Sequence, residues 1–359
     1  MINKKRLILI VVIIAALSAY VITSGGLKNF LENSSLKELK LQNGVSYRLE
    51  SFKNDVLLIN NEELIAVKKN GEKDFSFMTG ITEPAVSVRG DYILISDPGS
   101  SSAFLYKKDK LVKKFSLNNN ILAAKVNKKG YCVIATEETG YKGMFTVFSP
   151  SGAELFRWHS GTGYIADVDI SPKNKVCASQ ISFDGESDKI VSKILTFNTN
   201  NEKSTECLKK DGELLFGVEY YGDESFCAVS EKALYSFNSK FKNVSAIDYK
   251  KRVLQNYNIS NKHNLVLCFK GNINNTLVEN YSFDGKLKGS YSSDYEISSF
   301  DVSGELTLLS AGSSVYIINS SGKLKAQKNF KNDVAAAKFF PERKKLFILT
   351  GNKSVVYVF

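Results

Sequence analysis

Eight times along the chain an apolar or aromatic residue closes a short run of β-forming residues: Val67, Tyr106, Phe148, Phe197, Phe237, Tyr281, Ile318 and Phe359. Successive markers stand 39, 42, 49, 40, 44, 37 and 41 residues apart. A period near forty, built from alternating apolar segments with turn residues between them, is the pattern of a radial array of four-stranded blades. The chain therefore reads as all-β, an eight-bladed β-propeller. A scaffold of this kind carries enzymes and interaction modules alike, so the fold alone leaves the activity open.

The strands can be read within the repeat. Third strands fall at 63–67, 103–106, 144–148, 194–197, 233–237, 277–281, 315–318 and 355–359. Four markers are followed four residues later by glycine, at Gly71, Gly152, Gly285 and Gly322. Glycine accepts a positive φ without steric cost, so these positions predict tight hairpin turns. Ahead of each marker is a continuous apolar run, among them VLLIN from Val56, FCAVS from Phe226 and LVLCF from Leu265. Such runs suit second strands buried on both faces. Innermost strands are expected in PAVSVRG, ILAAKVN, YIADVDI, ELLFGVEY, EISSFDV and VAAAKFF.

The last marker ends on a third strand, which leaves an eighth blade without its outer strand. Natural sheets pair or cover such an edge. The segment SLKELKLQ at 35–42 is the expected donor, making 35–359 one propeller domain closed by an N-terminal strand; seven blades with a decorated terminus is the alternative.

The basic tail at 1–6 carries Lys4, Lys5 and Arg6, and the following segment, 7–23, has no charge. Seventeen residues of helix at about 1.5 Å each span about 26 Å, just under a hydrocarbon core of about 30 Å. The segment is expected to be an uncleaved transmembrane signal anchor, with the linker 24–34 after it. The basic flank keeps the tail cytoplasmic and sends the propeller to the extracytoplasmic side of the cytoplasmic membrane. A signal peptide cut near Ala16-Leu17-Ser18 is the competing reading.

Cys132, Cys177, Cys227 and Cys268 fall on the second strands of four consecutive blades, and Cys207 on an outer strand. Equivalent positions in neighbouring blades are too far apart for a disulfide, so free thiols acting as small buried hydrophobes are expected. With two histidines in different blades, His159 and His263, and no CxxC or HxxH pair, the sequence predicts no metal site and no cofactor. The net charge is +11, carried by lysine far more than by arginine and spread over most blades. That distribution argues against nucleic acid as partner and fits loose attraction to anionic headgroups or wall polymers.

Motifs with chemistry are few. The hairpin DGESD places Asp184, Glu186 and Asp188 at alternate positions, with Glu137 and Glu138 at the matching hairpin one blade earlier. Trp158, His159 and Tyr164 bracket the turn SGTG between blades 3 and 4. These eight residues are the candidate partner-binding set, with the aromatics as anchors and the carboxylates as orienting groups. No catalytic constellation is present, and a non-catalytic binding or scaffolding module for a protein or a cell-envelope polymer is the expected function. The alternative is an envelope enzyme acting on glycan through Glu137, Asp184 and Glu186.

The N-terminal anchor and the run of strands such as VYIINSSGKLK and VVYVF resemble an uncharacterised family of single-pass, WD40-like or quinoprotein-like β-propellers from Gram-positive bacteria. The resemblance covers nearly the whole chain and implies membrane anchoring and fold, with no activity attached. The Trp-Asp pair of true WD40 strands is absent, and so is the Asp-box of sialidases. Trp158 is the single tryptophan, which departs from the tryptophan-docking pattern of quinone-dependent dehydrogenases.

Overall fold

The computed structural model describes residues 39, 41–42, 45–185, 189–199, 203–222, 224–260, 264–271, 275–341, 345–351 and 353–359. Among them, thirty-one strands form seven four-stranded antiparallel sheets and one of three strands, each sheet a meander of consecutive strands. These are the eight blades. Their first strands are Arg48–Phe52, Ala85–Arg89, Ile121–Val126, Tyr164–Ile170, Leu215–Tyr221, Leu254–Ile259, Ser299–Ser303 and Val334–Phe339. Neighbouring first strands touch around most of the inner ring, and that of blade 8 meets that of blade 1. The ring is closed.

The hydrophobic core divides into eight clusters, one for each interface between adjacent blades. Strand periodicity explains this division, because successive side chains point to opposite faces of a sheet. In blade 3, Cys132 and Ile134 pack toward blade 2, whereas Val133 and Ala135 pack toward blade 4. Second strands therefore read as unbroken apolar runs: Cys132–Thr136 is buried throughout, as is Asp55–Ile59 beyond its first residue. All five cysteines are free, and Cys132, Cys177, Cys227 and Cys268 are buried.

At six of the markers, including Val67, Phe148, Tyr281 and Ile318, the pairing to the fourth strand shifts register. In those four blades the turn ends on a glycine at positive φ whose N–H donates back to the residue after the marker, as with Gly322 to Asn319 at 2.9 Å. This is a type I turn with a glycine bulge. Gly322 has a second reason to be glycine. A β-carbon there would stand 1.9 Å from the Ser290 carbonyl oxygen of blade 6. The close approach of the two blades requires its absence.

Blade 8 has three strands, ending with Lys353–Val358. Of the expected closing segment 35–42, Leu39, Leu41 and Gln42 are described. The Leu39 N–H donates to Ser354 Oγ at 3.3 Å, and Leu39 and Leu41 pack on the cluster joining blades 8 and 1. Residues 35–38 and 40 lie outside the described residues, as do the basic tail, the expected anchor 7–23 and the linker. Among the described residues no helix is long and apolar enough to cross a membrane.

Candidate functional site

A meander fixes which loops share a face. Hairpins between strands 2 and 3 and connections between blades lie on one side of the disk; hairpins 1–2 and 3–4 lie on the other. The hairpin 137–143 of blade 3 and the connection 160–163 into blade 4 meet on the first side. There the Lys142 N–H donates to the Ser160 carbonyl, and the Ser160 N–H to the Gly143 carbonyl, each at 2.8 Å.

The candidate residues divide around this clasp. Trp158 sits on the outer strand Glu154–His159, on the same face as Phe156, and packs into the interface of blades 3 and 4. Its ring centroid lies 5.7 Å from that of Phe145 and 4.8 Å from that of Phe197. The indole is partly buried by this packing. His159 is half-buried with its ring 4.7 Å from Tyr141, and its Nδ1 is buried without a hydrogen-bond partner. Tyr164 is exposed, and Lys142 lies 5.0 Å above its ring. The aromatic surface at the junction is thus made by Tyr141 and Tyr164. Tyr141, in the glycine-rich hairpin, escaped the sequence reading.

Of the five candidate carboxylates, Glu137, Glu138 and Asp184 are described. Glu137 and Glu138 accept hydrogen bonds from Asn120 and Asn119 of the preceding connection, at 3.1 and 3.0 Å. Asp184 is exposed at the end of its strand in blade 4. Glu186 and Asp188, like His263, lie outside the described residues. Among the described residues no cluster of three potential metal ligands occurs.

A second constellation lines the inner ring. Each first strand has one edge unpaired by its own blade, and buried N–H groups on such an edge need acceptors. Side chains of the preceding blade supply them. Val218 and Tyr220 N–H donate to Asp167 and Asp169 at 3.0 and 2.7 Å, while Phe339 N–H donates to Asp301 at 2.9 Å. Serines do the same through Val126 N–H to Ser87 and Ala337 N–H to Ser299. Cations balance these acids. Arg89 of blade 2 reaches Glu219 of blade 5 at 3.1 Å, and Lys338 of blade 8 joins Asp301 at 3.3 Å and Glu50 at 3.8 Å. Arg89 and Glu219 also border a cavity of about 450 Å³ on the second face. All of these charges except Glu50 were visible in expected inner strands, as in YIADVDI or ILAAKVN, but nothing local says that they converge.

Burial inside the ring pushes the Asp167 carboxyl up to about 6, against the pull of Lys125. Lys125 is itself raised, because Asp167, Asp169 and Glu219 outweigh the desolvation that opposes its charge. Between the ordinary 3.8 and about 6, the folded protein holds a proton on Asp167 that the unfolded chain has released. The stability this group contributes is therefore full below the lower value and falls as pH rises through the upper one. Asp167→Asn is expected to flatten the decline in stability between about pH 4 and pH 6 in denaturant titrations. An unchanged slope would show that the proton is not held there.

The profile of a family of unknown function, DUF5711, matches residues 26–357. No curated protein matches the chain. Solved structures do. BamB from Moraxella catarrhalis aligns with a TM-score of 0.57 at 10% identity, over 91% of this chain and 99% of that one. The C-terminal WD40 domain of Sif2 aligns at 0.59 and 13% identity, over 90% and 98% of the two chains. The Dos1 propeller aligns at 0.58 and 12%, over 90% and 95%. At these identities the likeness is one of fold.

Proposed function

The chain belongs to the DUF5711 family, and we propose that it is a non-catalytic docking module for a protein, tethered by the segment 7–23 at the outer face of the cytoplasmic membrane. One observation carries the docking reading. Large apolar side chains stand exposed on the face of the 2–3 hairpins and blade connections: Tyr141, Tyr164, Phe183, Phe216, Val253 and Tyr295. Phe183 is 70% exposed and Val253 62%. Among the described residues every exposed large aromatic stands on this face, whereas the large side chains exposed beside the 3–4 hairpins of the opposite face, Leu111, Leu155, Leu287 and Leu324, are aliphatic, and that face carries lysines such as Lys107, Lys128 and Lys240. Exposed aromatics amid polar loops are the composition of a protein-binding surface. The membrane tether rests on the uncharged segment and its basic flank.

One experiment in intact cells tests both parts. A photo-crosslinking residue at Tyr141 or Phe183 is expected to give a discrete protein adduct, and one at Lys128 or Lys240 none. Adducts from the lysine face alone would reverse the assignment. In the same strains, with the native cysteines removed, a cysteine at Ser24 should react with a membrane-impermeant maleimide before lysis. Reaction only after lysis would place the propeller in the cytoplasm.

A further inference from the structure

Between blades 2 and 3 lies a cleft of about 490 Å³. One wall is the connection between the two blades, through Leu117, Asn118 and Asn119; the other is the blade 2-facing side of blade 3, through Ile134, Thr136, Met144 and Phe148. Thr136 is only 3% exposed, and its Oγ1 has no hydrogen-bond partner. It shares a strand face with Ile134, so the side chain belongs to the cleft wall. A buried hydroxyl left unpaired destabilises a fold, and its retention calls for something that pairs with it.

The lining narrows what that something is. The charges are already engaged: Arg157 pairs with Glu154 at 2.6 Å, and Glu138 accepts from Asn119 at 3.0 Å. An anion therefore meets an arginine already paired with a carboxylate, and a metal ion finds no group of three acidic, histidine or cysteine ligands among the described residues. An extended peptide finds no strand edge on the second and third strands of blade 3, which are paired on both sides. What the cleft offers is a set of hydroxyls and amides, from Ser116, Asn118, Thr136, Thr139 and Thr146, above the apolar surface of Leu117, Met144 and Phe148. Each hydroxyl can both donate and accept. A ring that carries adjacent hydroxyls on its rim and C–H groups on its faces matches such a lining.

We propose that this cleft is a saccharide site, taking a neutral hexopyranose unit of a glycan. Thr136 Oγ1 bonds a ring hydroxyl, and Met144 and Phe148 carry the apolar face of the sugar. The site goes beyond the protein-docking reading and does not depend on it.

The test is calorimetric titration of the full chain in lipid nanodiscs with maltotriose, cellotriose and tri-N-acetylchitotriose. One of the three is expected to bind. Thr136→Val should weaken that binding about tenfold or more, while Thr136→Ser, which keeps the hydroxyl, should retain it. Because Thr136→Val removes an unpaired polar atom, the melting temperature should hold or rise. Binding by none of the three sugars overturns the proposal, and so does binding that Thr136→Val leaves intact. A lower melting temperature for that variant also overturns it, since a trapped water would then be what satisfies the hydroxyl.

Discussion

Removing residues 354–359 is expected to abolish cooperative folding. The cut deletes most of the last strand of blade 8, with Ser354 3% and Val356 1% exposed, and takes Tyr357 and Phe359 from the interface of blades 7 and 8. It strips the partner from Lys345–Thr350, whose Phe347 and Ile348 are fully buried, and opens the ring beside blade 1. Losing buried Val356 and the partly buried Tyr357 and Phe359 together with a whole strand pairing costs about 5 kcal/mol or more, comparable with the entire stability of a domain. Deleting 35–42 should be milder. It takes Leu39 and Leu41 from the same junction and bares the outer edge of the last strand, which predicts a lowered melting temperature and concentration-dependent aggregation. Wild-type melting of the shorter deletion would show that this segment does not cover the edge.

The second and third strands were legible because they are buried on both faces, which leaves a continuous apolar run in the sequence whatever the neighbours are. Blade 1 and blade 6 hide their first strands, RLESF and LQNYNI, since an inner strand faces the polar channel on one edge and loses that run. The channel charges were in view without being interpretable. Arg89 and Glu219 are 130 residues apart, and only ring closure makes them partners. Trp158 is a related case. WHSGTGY announces an exposed turn, yet Trp158 lies just before the turn, on a strand where every second side chain points into an interface. Phe156, two residues earlier and 8% exposed, carried that signal.

Trp158 and Tyr164 should accordingly part company when each is truncated. Tyr164 is 55% exposed, its hydroxyl accepts from Lys142, and the lysine above its ring is itself at the surface. Tyr164→Ala is expected to change stability by no more than about 0.5 kcal/mol and to remove part of the docking surface. Trp158 is wedged between Phe145 and Phe197, both fully buried, in a cluster of four aromatic rings with Phe156. Trp158→Ala leaves a void that Phe145, already edge-on to Phe197 at 4.9 Å, cannot fill without breaking its own contacts. The half-buried position puts the cost near the lower end of the aromatic range, about 3 kcal/mol, with a clear drop in melting temperature. Partner capture by Trp158→Ala should fall only in proportion to the unfolded fraction, whereas Tyr164→Ala should lose capture while fully folded. A stable Trp158→Ala protein that no longer binds would return the indole to the docking surface and transfer the anchor role from the tyrosines to it.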